Sequence, residues 1–236
     1  MRRLLIRPGA IGDVILSLPA LEAARADYTE VWAPRVTLPL IRFADRTRAI
    51  ADTGLDLVGV VESAKCPALE TFDSIYSWYG TARPEFRAAV AHLPFRFFPA
   101  QELPDTPPRI DVPSAPRKDF VIIHPYSSSA KKNWPIENFR QLNFPRIEWA
   151  THPDGSNRID DLYDLARWIS TARLYIGNDS GISHLAAAVG TPVIAIFMST
   201  DPRIWTPRGA HVTVLERPSV AQVLEACAQQ GVFERR

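Results

Sequence analysis

The chain has 236 residues, 46% of them hydrophobic and 22% charged, and a formal net charge of +1. That length exceeds the ~100–200 residues usual for one domain yet is short for two full-sized ones, so two small lobes are expected. The composition excludes a disordered chain, and the near-neutral charge excludes a global field for nucleic acid or a membrane, so any anion site must be local. Cys66 and Cys227 form no C-x-x-C pair, which argues against a zinc site or a disulfide framework and suits a reducing cytosol. The basic start and Ala24-Arg25-Ala26 imitate a signal peptide, but Arg7 and Asp13 interrupt its apolar stretch. The longest uncharged stretch, 185–200, is broken by Gly190-Thr191-Pro192 and falls short of the ~20 apolar residues that span a bilayer. A cytoplasmic protein with at most peripheral membrane contact is expected.

In chain order, Leu4-Leu5-Ile6 reads as a strand ending at Pro8-Gly9. Ile11, Val14, Ile15, Leu18 and Leu21 then recur at helical spacing, with Pro19 expected to kink that helix. The runs 57–61 and 74–78 read as further strands of a small sheet. Prolines 99, 104, 107, 108, 113 and 116 favour an extended connector, which sets lobes of 1–112 and 113–236. The second lobe restarts with strand 120–124, a polar loop and a helix opened by Pro135. It repeats with strand 174–177, a helix running through Val189 to a stop at Gly190, and strands at 193–197 and 211–215. Alternation of this kind means parallel, right-handed units. The fold class is therefore α/β, and ligands are expected beyond the carboxyl ends of the strands.

Three segments lie at such ends. In Gly9-Ala10-Ile11-Gly12-Asp13 the glycines permit a tight turn that leaves Asp13 in the first turn of a helix. There a carboxylate either complements the helix dipole or serves as a general base. The stretch from His124 to Pro135 holds Ser127, Ser128, Lys131 and Lys132, donors suited to a diphosphate without a metal, or else a solvated loop anchored by Trp134. Asn178-Asp179-Ser180-Gly181 delivers polar side chains onto a helix N-terminus, an anion site in which all three are also good caps. Histidines 92, 124, 152, 184 and 211 show no metal-ligand spacing and no D-x-D pair occurs, so no metal is expected. Absence of G-x-S-x-G and G-x-G-x-x-G disfavours a hydrolase and a dinucleotide enzyme.

Taken together these segments resemble glycosyltransferase family 9, the ADP-heptose:lipopolysaccharide heptosyltransferases. The resemblance runs over 5–14 with Leu18-Pro19-Ala20-Leu21, over the loop ending in Lys132, Trp134 and Pro135, and over 178–190 followed by Phe197, Thr200, Asp201 and Pro202. It implies a GT-B-like fold, with two Rossmann-like lobes whose parallel sheets face a central cleft, the acceptor on the first lobe and the nucleotide-sugar on the second. It implies an inverting, metal-independent transfer of a heptose-like sugar from an ADP-linked donor to a glycan or lipopolysaccharide-type acceptor, with no cofactor. By position, Asp13 becomes the general base, Gly9 and Gly12 its structural turn, and Ser127, Ser128 and Lys132 the phosphate contacts. Asp179, Ser180, Gly181 and His184 line the donor site. Only 46 residues separate Lys132 from Asp179, a gap that in the family holds a further strand and helix with a nucleoside-binding glutamate. Residues 146–149 read as the remnant of that strand, and Glu148 is the candidate glutamate. The alternative is a reduced, non-catalytic nucleotide-sugar-binding or scaffold module.

Overall fold

The computed structural model describes residues 1–61, 64–100, 102–151 and 158–231. The chain divides into two compact units, Met1–Thr106 and Pro107–Arg236. Each holds one five-stranded sheet in which every pairing is parallel.

In the first unit the elements are β1 (Arg2–Ile6), α1 (Ile11–Ala23), β2 (Tyr28–Ala33), β3 (Arg46–Ala49), β4 (Ser74–Ser77), α2 (Pro84–Ala89) and β5 (Phe95–Phe97). The sheet order is β3-β2-β1-β4-β5, so the order reverses between β1 and β4. Leu4, Leu5 and Ile6 are wholly buried, and α1 continues past Pro19 to Ala23 with Val14, Ile15, Leu18 and Leu21 inside. The strand expected at 57–61 does not form. Leu55–Leu57 is a short 3-10 turn, and Gly54 and Gly59 lie at φ +69° and +75°. A Cβ on Gly59 would sit 2.7 Å from the backbone of Glu85 and Phe86. The chain therefore turns against α2, burying Val58 while Val60 stays 67% exposed. Apolar content alone made this segment look extended.

β2 and β3 gave little apolar signal because β2 carries a buried acid. Glu30 accepts from Trp32 Nε1 at 2.8 Å and pairs with Arg48 at 3.0 Å, so its charge is compensated inside the sheet.

In the second unit the elements are β6 (Lys118–His124), α3 (Ile136–Arg140), β7 (Ile147–Trp149), α4 (Leu162–Ser170), β8 (Ala172–Asn178), α5 (Gly181–Ala188), β9 (Val193–Phe197), α6 (Pro202–Trp205), β10 (Val212–Glu216) and α7 (Val220–Gln229). The order is β10-β9-β8-β6-β7, with the reversal between β6 and β8. The remnant strand read at 146–149 is β7, an edge strand on β6. Pro135 caps only the short α3. One sheet face packs Val121, Ile123, Leu174, Ile176, Ile194 and Ile196 against Trp134, Phe139, Val223 and Cys227. The small side chains of Ala186, Ala187 and Ala188 are buried, and α5 ends before Gly190 at φ +81°. Among the described residues, 98–117 form neither helix nor strand. Past Pro107 this connector is tied into the second unit by Ile110 N donating to Ala188 O at 3.0 Å.

Trp134 anchors the segment that follows β6. It is 2% exposed, meets Phe139 edge-on at 4.9 Å and donates Nε1–H to Pro218 O at 2.9 Å. Trp134→Ala is expected to destabilise the protein by ~3–5 kcal/mol. Urea unfolding followed by circular dichroism checks this, and a cost under ~1 kcal/mol would show that the loop anchors elsewhere.

Candidate functional site

The strand-order reversal of the second sheet puts the ends of β6 and β8 side by side, with His124 in register with Gly177. In such sheets the crevice beyond this point receives the ligand. Asn178 fixes the loop at this point. Its buried amide accepts from Trp134 N at 2.8 Å and donates from Nδ2 to Pro125 O at 2.6 Å, clamping both ends of the 125–134 loop to β8. The sequence offered Asn178 as one of three helix caps. The cap of α5 is in fact Ser180, whose Oγ accepts from Ser183 N at 3.4 Å.

With the loop clamped, Lys132 reaches Asp179. Its Nζ donates to Asp179 Oδ2 at 2.8 Å, and Thr200 Oγ1, from the loop after β9, donates to the same oxygen at 2.7 Å. Asp179 N also donates to Ile196 O at 2.9 Å, which fixes the backbone that carries this carboxylate. It is buried, with 5% of the side chain exposed against 27% for Lys132. Gly181 opens α5, whose first amides lie beside this cluster in sequence and supply a partial positive charge. Ser127 Oγ lies 2.7 Å from Asn133 Oδ1 and 2.8 Å from Ser129 O, so this hydroxyl shapes the loop, whereas Ser128 is exposed. His184 is buried on α5.

Under the cluster lies a second polar layer that the sequence did not announce. Tyr175 is fully buried, with its hydroxyl 3.3 Å from Ser183 Oγ, and burial pushes its phenol up. Ser183 Oγ donates to Asn178 O at 2.5 Å. A Cβ at Gly177 would come within 2.6 Å of the Tyr175 oxygen, so only glycine fits over this ring. His124 stacks on Tyr175 at 6.4 Å, and burial holds its imidazole down at about 4.

Glu148 is on β7, where its carboxylate is taken by Arg146 beside a cavity of about 340 Å³ shared with Arg158 and Trp168. The structure therefore brings Lys132, Asp179, Ser180 and Gly181 together and leaves Glu148 in an ion pair of its own.

In the first unit the turn after β1 is a closed circuit. Asp13 Oδ2 accepts from Ala10 N at 2.8 Å, the bond that a helix cap makes. Gly9 stands at φ +122°, where a Cβ would be 2.8 Å from Asp13 Cβ, and Gly12 lies in the first turn of α1. Arg7, buried and missed as a site residue, donates to Ser17 Oγ at 2.6 Å, Pro8 O at 3.0 Å and Asp13 O at 3.3 Å. Burial lowers its pKa and the nearby Asp13 opposes that shift. Among the described residues no group of three His, Cys, Asp or Glu side chains is placed to hold a metal, and His152 lies outside those residues. No helix among them is long and apolar enough to cross a membrane.

The fold and site define an α/β protein with two Rossmann-like sheets, the composition of the GT-B fold, and a cluster of polar side chains at the switch point of the second. Residues 160–231 match the family model of glycosyltransferase family 9 (heptosyltransferase). Lipopolysaccharide heptosyltransferase 3 of Escherichia coli is 48% identical over 44 residues, 19% of this chain and 13% of that one. Among solved structures, the E. coli heptosyltransferase WaaC with ADP aligns at TM-score 0.69 and 16% identity, covering 98% of this chain and 100% of that one. The iron-containing dodecameric glycosyltransferase TibC of enterotoxigenic E. coli aligns at TM-score 0.52 and 15% identity, covering 91% and 62%. Such identities speak for the fold alone. The family match covers residues 160–231 alone, and the matched segments span 13% to 25% of the length of the curated relatives. The model match holds Asp179, Ser180, Gly181, His184 and Thr200, while Asp13, Lys132 and Glu148 lie before it.

Two outcomes follow from this geometry. Asn178→Ala orphans Trp134 N and Pro125 O and is expected to cost ~1–3 kcal/mol in urea unfolding; a neutral result would mean the loop is not held by that amide. His124 has a folded pKa of about 4 against an ordinary 6.5, so between those values the unfolded chain binds the extra proton. Stability is therefore lost as pH falls from 6.5 toward 4, with a contribution of up to ~1.4 kcal/mol per pH unit. Comparing urea unfolding of His124→Gln with the parent across that window checks it: the variant's slope is expected to be shallower, and identical slopes would refute the assignment.

Proposed function

We propose that this protein is an inverting, metal-independent glycosyltransferase moving a heptose-like sugar from an ADP-linked donor to a glycan or lipopolysaccharide-type acceptor. The observation that carries the reading is the meeting of Lys132, Asp179, Thr200 and the start of α5 at the switch point of the second sheet. An ammonium, hydroxyls and helix amides there suit a diphosphate. In this reading the donor belongs to residues 113–236 and the acceptor to 1–112. Ser127 and Ser128 add hydroxyls to the phosphates, His184 lines the donor, and Glu148 exchanges Arg146 for the nucleoside. The acceptor hydroxyl attacks the anomeric carbon from the face opposite the leaving diphosphate. Asp13 takes its proton, and Lys132 with the α5 amides meets the charge that grows on the leaving group. The buried free thiols of Cys66 and Cys227 suit a reducing cytoplasm.

A thermal-shift panel of ADP-, GDP- and UDP-sugars tests donor binding. The preferred donor at 100 times its Kd is expected to stabilise by ~2.7 kcal/mol, and a flat panel would defeat the reading. EDTA is expected to leave that shift unchanged; its loss on chelation, with rescue by a divalent ion, would assign the diphosphate to a metal.

One observation favours the non-catalytic alternative: Asp13 Oδ2 accepts from Ala10 N, the contact of a helix cap. Asp13→Asn keeps the shape and removes the basicity. It is expected to preserve donor affinity and lower turnover by about 10²–10⁴-fold, the scale of a general base. Turnover close to the parent's would place the base elsewhere.

A further inference from the structure

The proposed anion site contains an anion of its own. Asp179 Oδ2 accepts from Lys132 at 2.8 Å and from Thr200 at 2.7 Å, so the ammonium meant for a diphosphate is already neutralised. A diphosphate reaching Lys132 must compete with this carboxylate and approach it. A buried carboxylate deserted by its cation is costly unless other donors remain. Thr200, on a different loop, is such a donor to the same oxygen.

We propose that Thr200 is a positioning residue acting through Asp179. On binding, Lys132 passes from Asp179 to the diphosphate while the Thr200 hydroxyl holds the vacated carboxylate. Asp179 is thereby a built-in competitor that weakens diphosphate binding and recovers Lys132 on release. This rests on reading the crevice as a diphosphate site, and the two ideas separate experimentally because they require opposite signs at neighbouring residues.

The experiment is calorimetric titration of the full chain with ADP, comparing the parent with Lys132→Ala, Asp179→Asn, Thr200→Val, Thr200→Ser and the Asp179→Asn/Thr200→Val double variant. Lys132→Ala is expected to weaken binding. Asp179→Asn is expected to tighten it by about tenfold, ~1.4 kcal/mol, a direction that structural damage does not produce. Thr200→Val is expected to weaken binding by roughly threefold or more, ~0.65 kcal/mol, with Thr200→Ser restoring it. In the Asp179→Asn background the Thr200→Val effect is expected to vanish. Weaker or unchanged binding in Asp179→Asn, with Lys132→Ala still impaired, would overturn the proposal and leave the diphosphate site standing. No ADP binding by the parent, or an unchanged Kd in Lys132→Ala, would overturn both. If Asp179→Asn does not fold, the Thr200 pair decides: equal binding by Thr200→Val and the parent overturns the proposal.

Discussion

The candidate site depends on one buried amide. Asn178 accepts from Trp134 N and donates to Pro125 O, so a loop of polar residues leaves β6 and returns to a fixed point beside β8. Buried backbone groups left unmet cost ~1–3 kcal/mol each, which makes this clamp a strong local constraint. Because the clamp ends at Trp134, Lys132 two residues earlier lands on Asp179, and the packed indole keeps the far side of the loop from shifting. The parallel sheet contributes the rest by ending β6 and β8 in register where the strand order reverses.

The two turns that follow the first strands of the two units do different work. After β1, Arg7, Ser17, Ala10 and Asp13 satisfy one another, and Gly9 leaves no room for a side chain above Asp13. After β6, the ammonium, hydroxyl and carboxylate of Lys132, Thr200 and Asp179 are shared among three loops, with the ammonium about a quarter exposed. A buried, mutually satisfied set of hydrogen bonds resists change, whereas a cation partly open to solvent can exchange partners. With a formal net charge of +1 over the whole chain, any attraction for an anion must be local.

How much of this was legible depended on whether burial is written in side-chain type. β9 is wholly buried and reads as an unbroken apolar run, and β1, β6 and β8 announce themselves in the same way. β2 escaped notice because Thr29 and Glu30 are buried polar residues: the Thr29 hydroxyl accepts from Ala26 N, and Glu30 pairs with Arg48 of β3. The run at 57–61 misled in the opposite sense, since Gly59 takes a left-handed conformation that only the neighbouring backbone explains. Within the site, Lys132, Asp179 and Ser180 stood out because they follow strands. Thr200 belonged to the quoted resemblance without a role, and Asn178 was read as a cap, because a clamp across 44 residues leaves no local spacing.

The central claim, that the switch point of the second sheet receives a nucleoside diphosphate, is tested most directly by a ¹⁵N–¹H titration of the labelled protein with ADP. The account expects the largest amide shifts at Gly181 and Ile182, where α5 opens, and at Lys132 and Asn133 in the clamped loop. Shifts confined to residues 1–106, or none at saturating ADP, would contradict it.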